Sequence, residues 1–317
     1  MMKKWQQKVI VQKTISYLPF SHKINYIFQK YVTKGVQLSD EYFYDRLGHA
    51  RDHISSYQHY SNRPIPNSSL EIGTGWYPIV PISLFLLGVE KIYSVDISFL
   101  TSKPRLLTTL QQFAACAKAG RLREFVDFQD TKLAELHELL AQYEQLSLEQ
   151  ILAKLHIIYL IEDARHLSLA DNSIDLVNSN NTFEHIYLSL LEPILLDFKR
   201  VVNKEHGVMS HFIDMSDHFA HFDKTISTYN FLQFSPRQWR WIDNNIQPQS
   251  RARIYDYRRL YAELSIPITA ESYRPGSVEE LSQIKLDAEY AAHPAEEVAK
   301  THCHFVSAMN TAVQPTR

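Results

Sequence analysis

Nine residues, Ile79–Leu87, are apolar nearly all round, and short apolar runs at residues 70–72 and 92–95 flank them across turn formers. A helix with no polar face is buried against a sheet, and the flanking runs have the length of strands. Residues 69–96 are therefore predicted as strand, turn, helix and second strand, with Gly73 and Gly75 in the turn. Glycine supplies backbone free of Cβ bulk where a strand must turn sharply beneath a ligand. Pro78 suits the first helical turn, where its missing N–H would be unpaired anyway, and Gly88 suits a left-handed cap at the far end.

The same patterning predicts further strands at Ile157–Ile161, at 171–177 with its approach, at 207–214, at 266–273 and at 304–310, with helices over 191–202 and 251–264. Residues 1–60 read as helical and aromatic, carrying Tyr26, Phe28, Tyr31, Tyr42, Phe43, Tyr44 and Tyr57, and residues 63–66 form a proline-bearing linker. This divides the chain into a helical cap, 1–64, and a main domain, 65–317. A helical leader placed over the open carboxyl edge of a sheet covers the edge where ligands bind, and a brace without ligand contact is its alternative. Val9, Ile10, Ile15 and Leu18 give the first helix an apolar stripe, packed on the body or touching a membrane surface. Residues 115–155 form a helical insert in which Leu133, Leu136, Leu140 and Tyr143 recur at helical spacing and Ser147 to Gln150 reads as a capping box. That stripe packs within the monomer or makes a homodimer contact.

Composition narrows the class without fixing it. The chain has 317 residues, 45% of them apolar, enough for a full core. A net charge of −2, from 33 basic and 35 acidic residues, leaves no basic footprint for nucleic acid. Two cysteines, Cys116 and Cys303, are too few for a disulfide framework, so a reducing cytoplasmic setting is expected. Polar residues interrupt the basic start too early for a signal peptide, and no integral membrane segment is expected.

The chemistry of the turn decides the ligand. A dinucleotide site wants a third glycine where this chain has Pro78, and Glu71 would repel a pyrophosphate but suits an ammonium group. Asp96, ending the second strand, can accept hydrogen bonds from the two hydroxyls of a ribose. At this point the sequence resembles the class I S-adenosylmethionine-dependent methyltransferases, whose first motif has the form acid-x-Gly-x-Gly. The resemblance covers residues 65–215 well and the remainder weakly. It implies an α/β Rossmann-like fold with a seven-stranded sheet whose final strand is antiparallel, and S-adenosylmethionine as cofactor. Carried over by position, it makes Glu71, Gly73, Thr74, Gly75, Tyr77, Asp96, Ile97, Asp163, Ala164, Arg165, Asn180 and Asn181 the cofactor-binding residues. Tyr77 stands where the family often has glycine.

Methyl transfer from a sulfonium is an in-line displacement, and a hydroxyl acceptor gains from a base that removes its proton. His185, by position after the fourth strand, and His218 and His221 after the fifth are the candidate catalytic residues, with packing or lid-ordering roles as alternatives. His211, Asp214, Asp217, His218, His221 and Asp223 are all metal-ligand types, yet strand alternation sets His211 and Asp214 on opposite faces, and no metal is expected. The lid segment 214–250 holds Tyr229, Phe231, Phe234, Trp239 and Trp241, either as a pocket wall or as a second small core. Arg237, Arg240, Arg251 and Arg253 either bind an anionic substrate group or face solvent. The expected function is methylation of a small molecule, oxygen preferred, in secondary-metabolite or glycan-precursor biosynthesis. An aminopropyl-type transferase and a non-catalytic binding module are the rival readings.

Overall fold

The computed structural model describes residues 2–17, 38–245 and 247–310. In chain order these form α1 (Lys4–Ser16), α2 (Asp40–Ser61), β1 (Ser68–Ile72), α3 (Ile79–Leu87), β2 (Lys91–Asp96), α4 (Lys103–Lys118), α5 (Asp130–Ala141), α6 (Leu148–Lys154) and β3 (Ile157–Ile161). They continue with β4 (Leu176–Asn180), α7 (Leu188–Val201), β5 (Val208–Asp214), α8 (His218–Phe222), α9 (Pro236–Ile242), α10 (Ile254–Glu263) and β6 (Ala270–Arg274). Three short helices, α11 (Val278–Ser282), α12 (Ala288–Ala291) and α13 (Ala295–Ala299), lead into β7 (His302–Ala308).

One seven-stranded sheet runs in the order β3-β2-β1-β4-β5-β7-β6, and β7 is antiparallel to both of its neighbours while the other strand pairs are parallel. The strand order reverses between β1 and β4, so a crevice opens at their carboxyl ends, where open α/β sheets bind ligands. All nine residues of α3 are buried, as its all-round apolar pattern predicts, and Gly88 closes it at φ 106°.

Apolar side chains gather in three clusters. One covers the sheet face under α2, α3, α4, α5 and α6, around Phe43, Phe85 and Phe113. A second lies on the opposite face under α7 and α10, around Leu195, Phe198, Tyr257 and Tyr261. The third joins Trp5 of α1 to Phe219, Phe231, Trp239 and Val298.

Several expectations change here. Helix α2 lies along the sheet face, with Phe43, Leu47, Ile54 and Tyr57 buried, and only Arg46 and His49 of its first half reach the carboxyl edge at Asn180. It is α1 that packs on the segment after β5. The inward side of α1 carries Trp5, Gln12 and Ile15 and leaves Ile10 exposed, because Trp5 sits between Phe219 and Phe234; Leu18, Tyr26, Phe28 and Tyr31 lie outside the described residues. In the insert, α5 buries Leu136 and Leu139 within the monomer's first cluster, with Leu133 and Leu140 at its margin.

The aromatic segment is chiefly a core. Tyr229, Phe231 and Trp239 are buried, and Trp241 is the exception at 75% exposure. Arg251 and Arg253 are buried too. Arg253 donates to the carbonyls of Met215, Val298 and Lys300, and Arg251 to those of Phe231 and Phe234, so neither guanidinium is directed at an anionic substrate. Arg237 and Arg240 instead line a surface groove with Lys13, Tyr17 and Trp241. Among the described residues no helix is long and apolar enough to cross a membrane, and both cysteines are free and buried.

Candidate active site at the carboxyl edge of the sheet

The turn after β1 is tight because two glycines take left-handed backbone, Gly73 at φ 74° and Gly75 at φ 69°. A Cβ on Gly73 would lie 2.5 Å from the Thr182 side chain, whose hydroxyl donates to Ile72 O at 3.2 Å, so the loop after β4 closes directly on the turn. Asp96 ends β2 facing this turn and accepts the backbone N–H groups of Ser98, Ile97 and Gly75; burial raises its pKa. Glu71 is buried at the end of β1, its Oε1 accepting from Asn180 Nδ2 at 2.8 Å and its Oε2 making no hydrogen bond of ordinary geometry. Burial pushes its carboxyl up to about 7, against the hydroxyl of Thr74 and the amide of Asn180, which favour the charged form. A buried carboxylate with an unmet oxygen, a Cβ-free cradle and a second acid one strand away fit the ammonium, backbone approach and ribose diol of S-adenosylmethionine.

Helix α2 sets the orientation of Asn180. His304 Nε2 lies 2.7 Å from Ser210 Oγ, Ser210 Oγ lies 2.7 Å from His53 Nδ1, and His53 Nε2 lies 3.1 Å from Asn180 Oδ1. The direction of this chain follows from its end: a carboxylate must receive from the Asn180 amide NH2, so Asn180 Oδ1 accepts from His53, His53 Nδ1 accepts from Ser210, and Ser210 accepts from His304. Burial holds His53 well below its ordinary value and His304 at about 4, so both rings are neutral, as single tautomers require. Phe212 separates His304 from His49, stacking on both at 3.9 and 3.8 Å. Arg46, three residues before His49, donates to His49 Nδ1 at 3.0 Å while its buried Nε has no partner, and its charge favours the ionised forms of Glu71 and Glu184.

The two ends of the crevice differ. Beyond Asp96, Ile97 is 81% exposed and Phe99 meets Tyr159 of β3 at 4.4 Å between ring centroids, an apolar surface suited to a nucleobase. Ala164 is buried nearby. Asp163 is engaged by Arg165, through its backbone N–H at 3.0 Å and its guanidinium, which holds the carboxyl down at about 2. Tyr77 packs against the cluster that contains Phe43 and Leu47. Asn181 takes a left-handed turn at φ 52°, its N–H donating to Phe212 O at 3.0 Å.

On the acceptor side the three candidate histidines converge. His185 sits on the 3-10 turn Phe183–His185, its Nδ1 2.8 Å from Pro248 O and its ring 4.9 Å from that of His218. His218 Nε2 and His221 Nε2 lie 3.7 and 3.9 Å from Asp214 Oδ2, and His302 Nε2 lies 3.5 Å from Asp214 Oδ1. Burial lowers all three candidates, His218 to about 3, so they are neutral near pH 7. Burial pushes Asp214 up, but His218, His302 and Ser216 outweigh it and hold its carboxyl below the ordinary value. The six-residue metal-ligand set does not assemble. His211 stacks on Phe183 and Phe198 on the other face, Asp217 caps α8, and Asp223 accepts from Trp5 and Thr225.

Arg46, His49, His53 and Glu184 stand at this edge without having been singled out in the sequence. The first three share one helix face at i, i+3 and i+7, which was the available signal.

A family model described as a methyltransferase domain matches residues 111–209, from α4 into β5. Solved structures align over most of the chain. The 1,6-didemethyltoxoflavin-N1-methyltransferase of Burkholderia thailandensis is 8% identical, with 90% of this chain and 86% of that one covered at a TM-score of 0.46. For geranyl diphosphate C-methyltransferase of Streptomyces coelicolor A3(2) the figures are 8%, 88%, 89% and 0.43. For a phosphoethanolamine N-methyltransferase of Haemonchus contortus they are 12%, 94%, 61% and 0.46. No curated protein matches in sequence. The reversed sheet with its antiparallel β7 and the acid-flanked glycine turn are those of the α/β Rossmann-like methyltransferase fold, and residues 111–209 of this chain match a methyltransferase-domain family.

Proposed function

We propose that the protein transfers a methyl group to oxygen of a small-molecule acceptor lying between the turn after β4 and α8. The observation that carries this reading is the convergence of His185, His218 and His221 near the carboxylate of Asp214 at the carboxyl edge. Bound S-adenosylmethionine supplies an electrophilic methyl on a sulfonium. Glu71 would hold the ligand's ammonium, Asp96 its ribose hydroxyls, and Arg46 its carboxylate. Because His185 Nδ1–H donates to Pro248 O, its Nε2 keeps a free lone pair that can accept the acceptor's proton. Positive charge that develops on His218 or His221 is stabilised by Asp214, and His221, the more exposed of the two, passes the proton to water. Trp5 of α1, against Phe219 and Phe234, shields this side from solvent.

Hydroxylated metabolites and glycan precursors are acceptors of the right chemistry, and two buried free thiols agree with a reducing cytoplasm. Mass spectrometry of hydroxyl-bearing and amine-bearing compound pools incubated with enzyme and cofactor reads the acceptor atom. With a hydroxyl acceptor, His185→Ala and His218→Ala are expected to slow turnover by about 10²-fold or more while S-adenosylhomocysteine affinity stays within a factor of about two. Unchanged turnover in both variants rules out a histidine base, and methylation confined to amines rules out the oxygen reading.

A further inference from the structure

We infer that Glu184, His185 and His218 form a binding site for one divalent transition-metal ion, placed to hold the oxygen of the acceptor. This rests on the acceptor pocket proposed above; with the ion bound, His185 and His218 serve as its ligands in place of a histidine base. One donor atom from each residue lies within 4.8 Å of the other two. Metal–ligand distances of about 2.0–2.2 Å set donors roughly 3–4 Å apart, so modest side-chain rotation closes the set.

Three independent features point the same way. Glu184 is 1% exposed, yet among the described residues neither of its carboxylate oxygens has a hydrogen bond of ordinary geometry, and only the backbone N–H groups of Glu184 and Asp214 approach it. Buried carboxylates are nearly always satisfied, and an ion supplies what the protein does not. His185 donates Nδ1–H to Pro248 O at 2.8 Å, which fixes its tautomer and turns a bare Nε2 toward His218; metal-bound imidazoles are held by this kind of backbone contact. Behind His218 stands Asp214, itself fixed by Ser216 N–H at 2.8 Å and Ser216 Oγ–H at 2.6 Å.

The donor set also selects the ion. Two imidazoles and a carboxylate favour Zn²⁺, Fe²⁺, Co²⁺ or Mn²⁺ over Mg²⁺ and Ca²⁺, which prefer oxygen alone. Three protein ligands leave positions open for an acceptor hydroxyl, or for two neighbouring ones. Coordination lowers the hydroxyl's pKa and its proton leaves to water. The oxygen lone pair then forms the O–C bond while the S–C bond breaks and its electron pair returns to sulfur, giving the neutral thioether.

Co²⁺ is the probe, titrated into the full chain with S-adenosylhomocysteine present and followed by visible absorption and equilibrium dialysis. One Co²⁺ per chain is expected, with Glu184→Gln and His218→Ala each weakening it by about tenfold to a hundredfold and the exposed-site variant His137→Ala leaving it unchanged. Circular dichroism identifies any variant that fails to fold, and His185→Asn then serves in its place. Absence of Co²⁺ binding to the folded protein, or binding that ignores these substitutions, overturns the site while cofactor binding keeps the methyltransferase reading intact. Co²⁺ bound at these residues without S-adenosylhomocysteine binding upholds the ion site and overturns the acceptor pocket instead.

Discussion

The proposed contact between Glu71 and the cofactor's ammonium group predicts an affinity that depends on pH in a calculable way. Burial pushes its carboxyl up to about 7 in the free protein, whereas a bound ammonium requires the carboxylate. With that value, about half the molecules hold ionised Glu71 at pH 7 and about one in eleven at pH 6, so affinity falls roughly fivefold over that single unit. At higher pH the ligand's own amino group loses its charge and affinity declines again. Glu71→Gln keeps the shape and the contact with Asn180 but removes the charge, which costs about 1.5–3 kcal/mol, or roughly tenfold to a hundredfold in affinity. It also removes most of the acid limb while sparing the alkaline one. Asp96, raised by burial as well, leaves a residual limb at lower pH.

The same shift acts on stability with the opposite sense. A carboxyl whose folded pKa is raised binds more protons in the native state, so stability without cofactor falls as pH rises from about 4.5 to 7, by roughly 3 kcal/mol at most. Glu71→Gln escapes this loss, and its cofactor-free melting temperature should exceed that of the parent at pH 8 and match it near pH 4.5. Isothermal titration with S-adenosylhomocysteine in buffers of different ionisation enthalpy gives both affinity and proton release, and thermal melts give the rest. Parent affinity that is flat between pH 6 and 7, or an acid limb that survives intact in the Gln variant, refutes the assignment of Glu71.

Two other substitutions separate backbone and packing effects. Gly73→Ala and Gly75→Ala share a left-handed strain of about 1–2 kcal/mol, but only Gly73 drives a methyl into Thr182, adding roughly 1–3 kcal/mol in urea denaturation; equal losses would contradict the close approach. Arg253→Lys should lose about 3 kcal/mol, because one ammonium cannot span the carbonyls of Met215, Val298 and Lys300, and a Lys variant as stable as the parent would show that the fork is unimportant.

What could be read from the chain was what neighbouring residues determine. The strand, turn, helix and strand over residues 69–96 follow from an apolar run and two glycines within a few positions of each other, and Asp96 follows from ending the second strand. Period-two alternation along β7 likewise sends His304 to Phe212 on one face and Cys303 to the second cluster on the other. Side-chain partners distant in sequence were not legible. Nothing local tells Arg251 and Arg253 that they will meet carbonyls rather than substrate, or that Tyr229 and Trp239 will find α1 and α13 to bury against. Glu184 reads as an ordinary loop acid until Tyr257, Asp214 and the fifth strand surround it. Asp163 shows a partner that is local, since Arg165 two residues away engages its carboxylate through both backbone and guanidinium.

The line of contacts from His304 through Ser210 and His53 to Asn180 and Glu71 carries a thermodynamic consequence. Glu71 is presented correctly only when α2 is seated, because the imidazole that orients Asn180 belongs to α2. Cofactor binding and the docking of α2 are thus linked functions, and linkage is reciprocal. Any free energy by which a docked α2 tightens the cofactor is the same free energy by which the cofactor holds α2 against the sheet, so hydrogen exchange along Asp40–Ser61 should slow in proportion to ligand affinity.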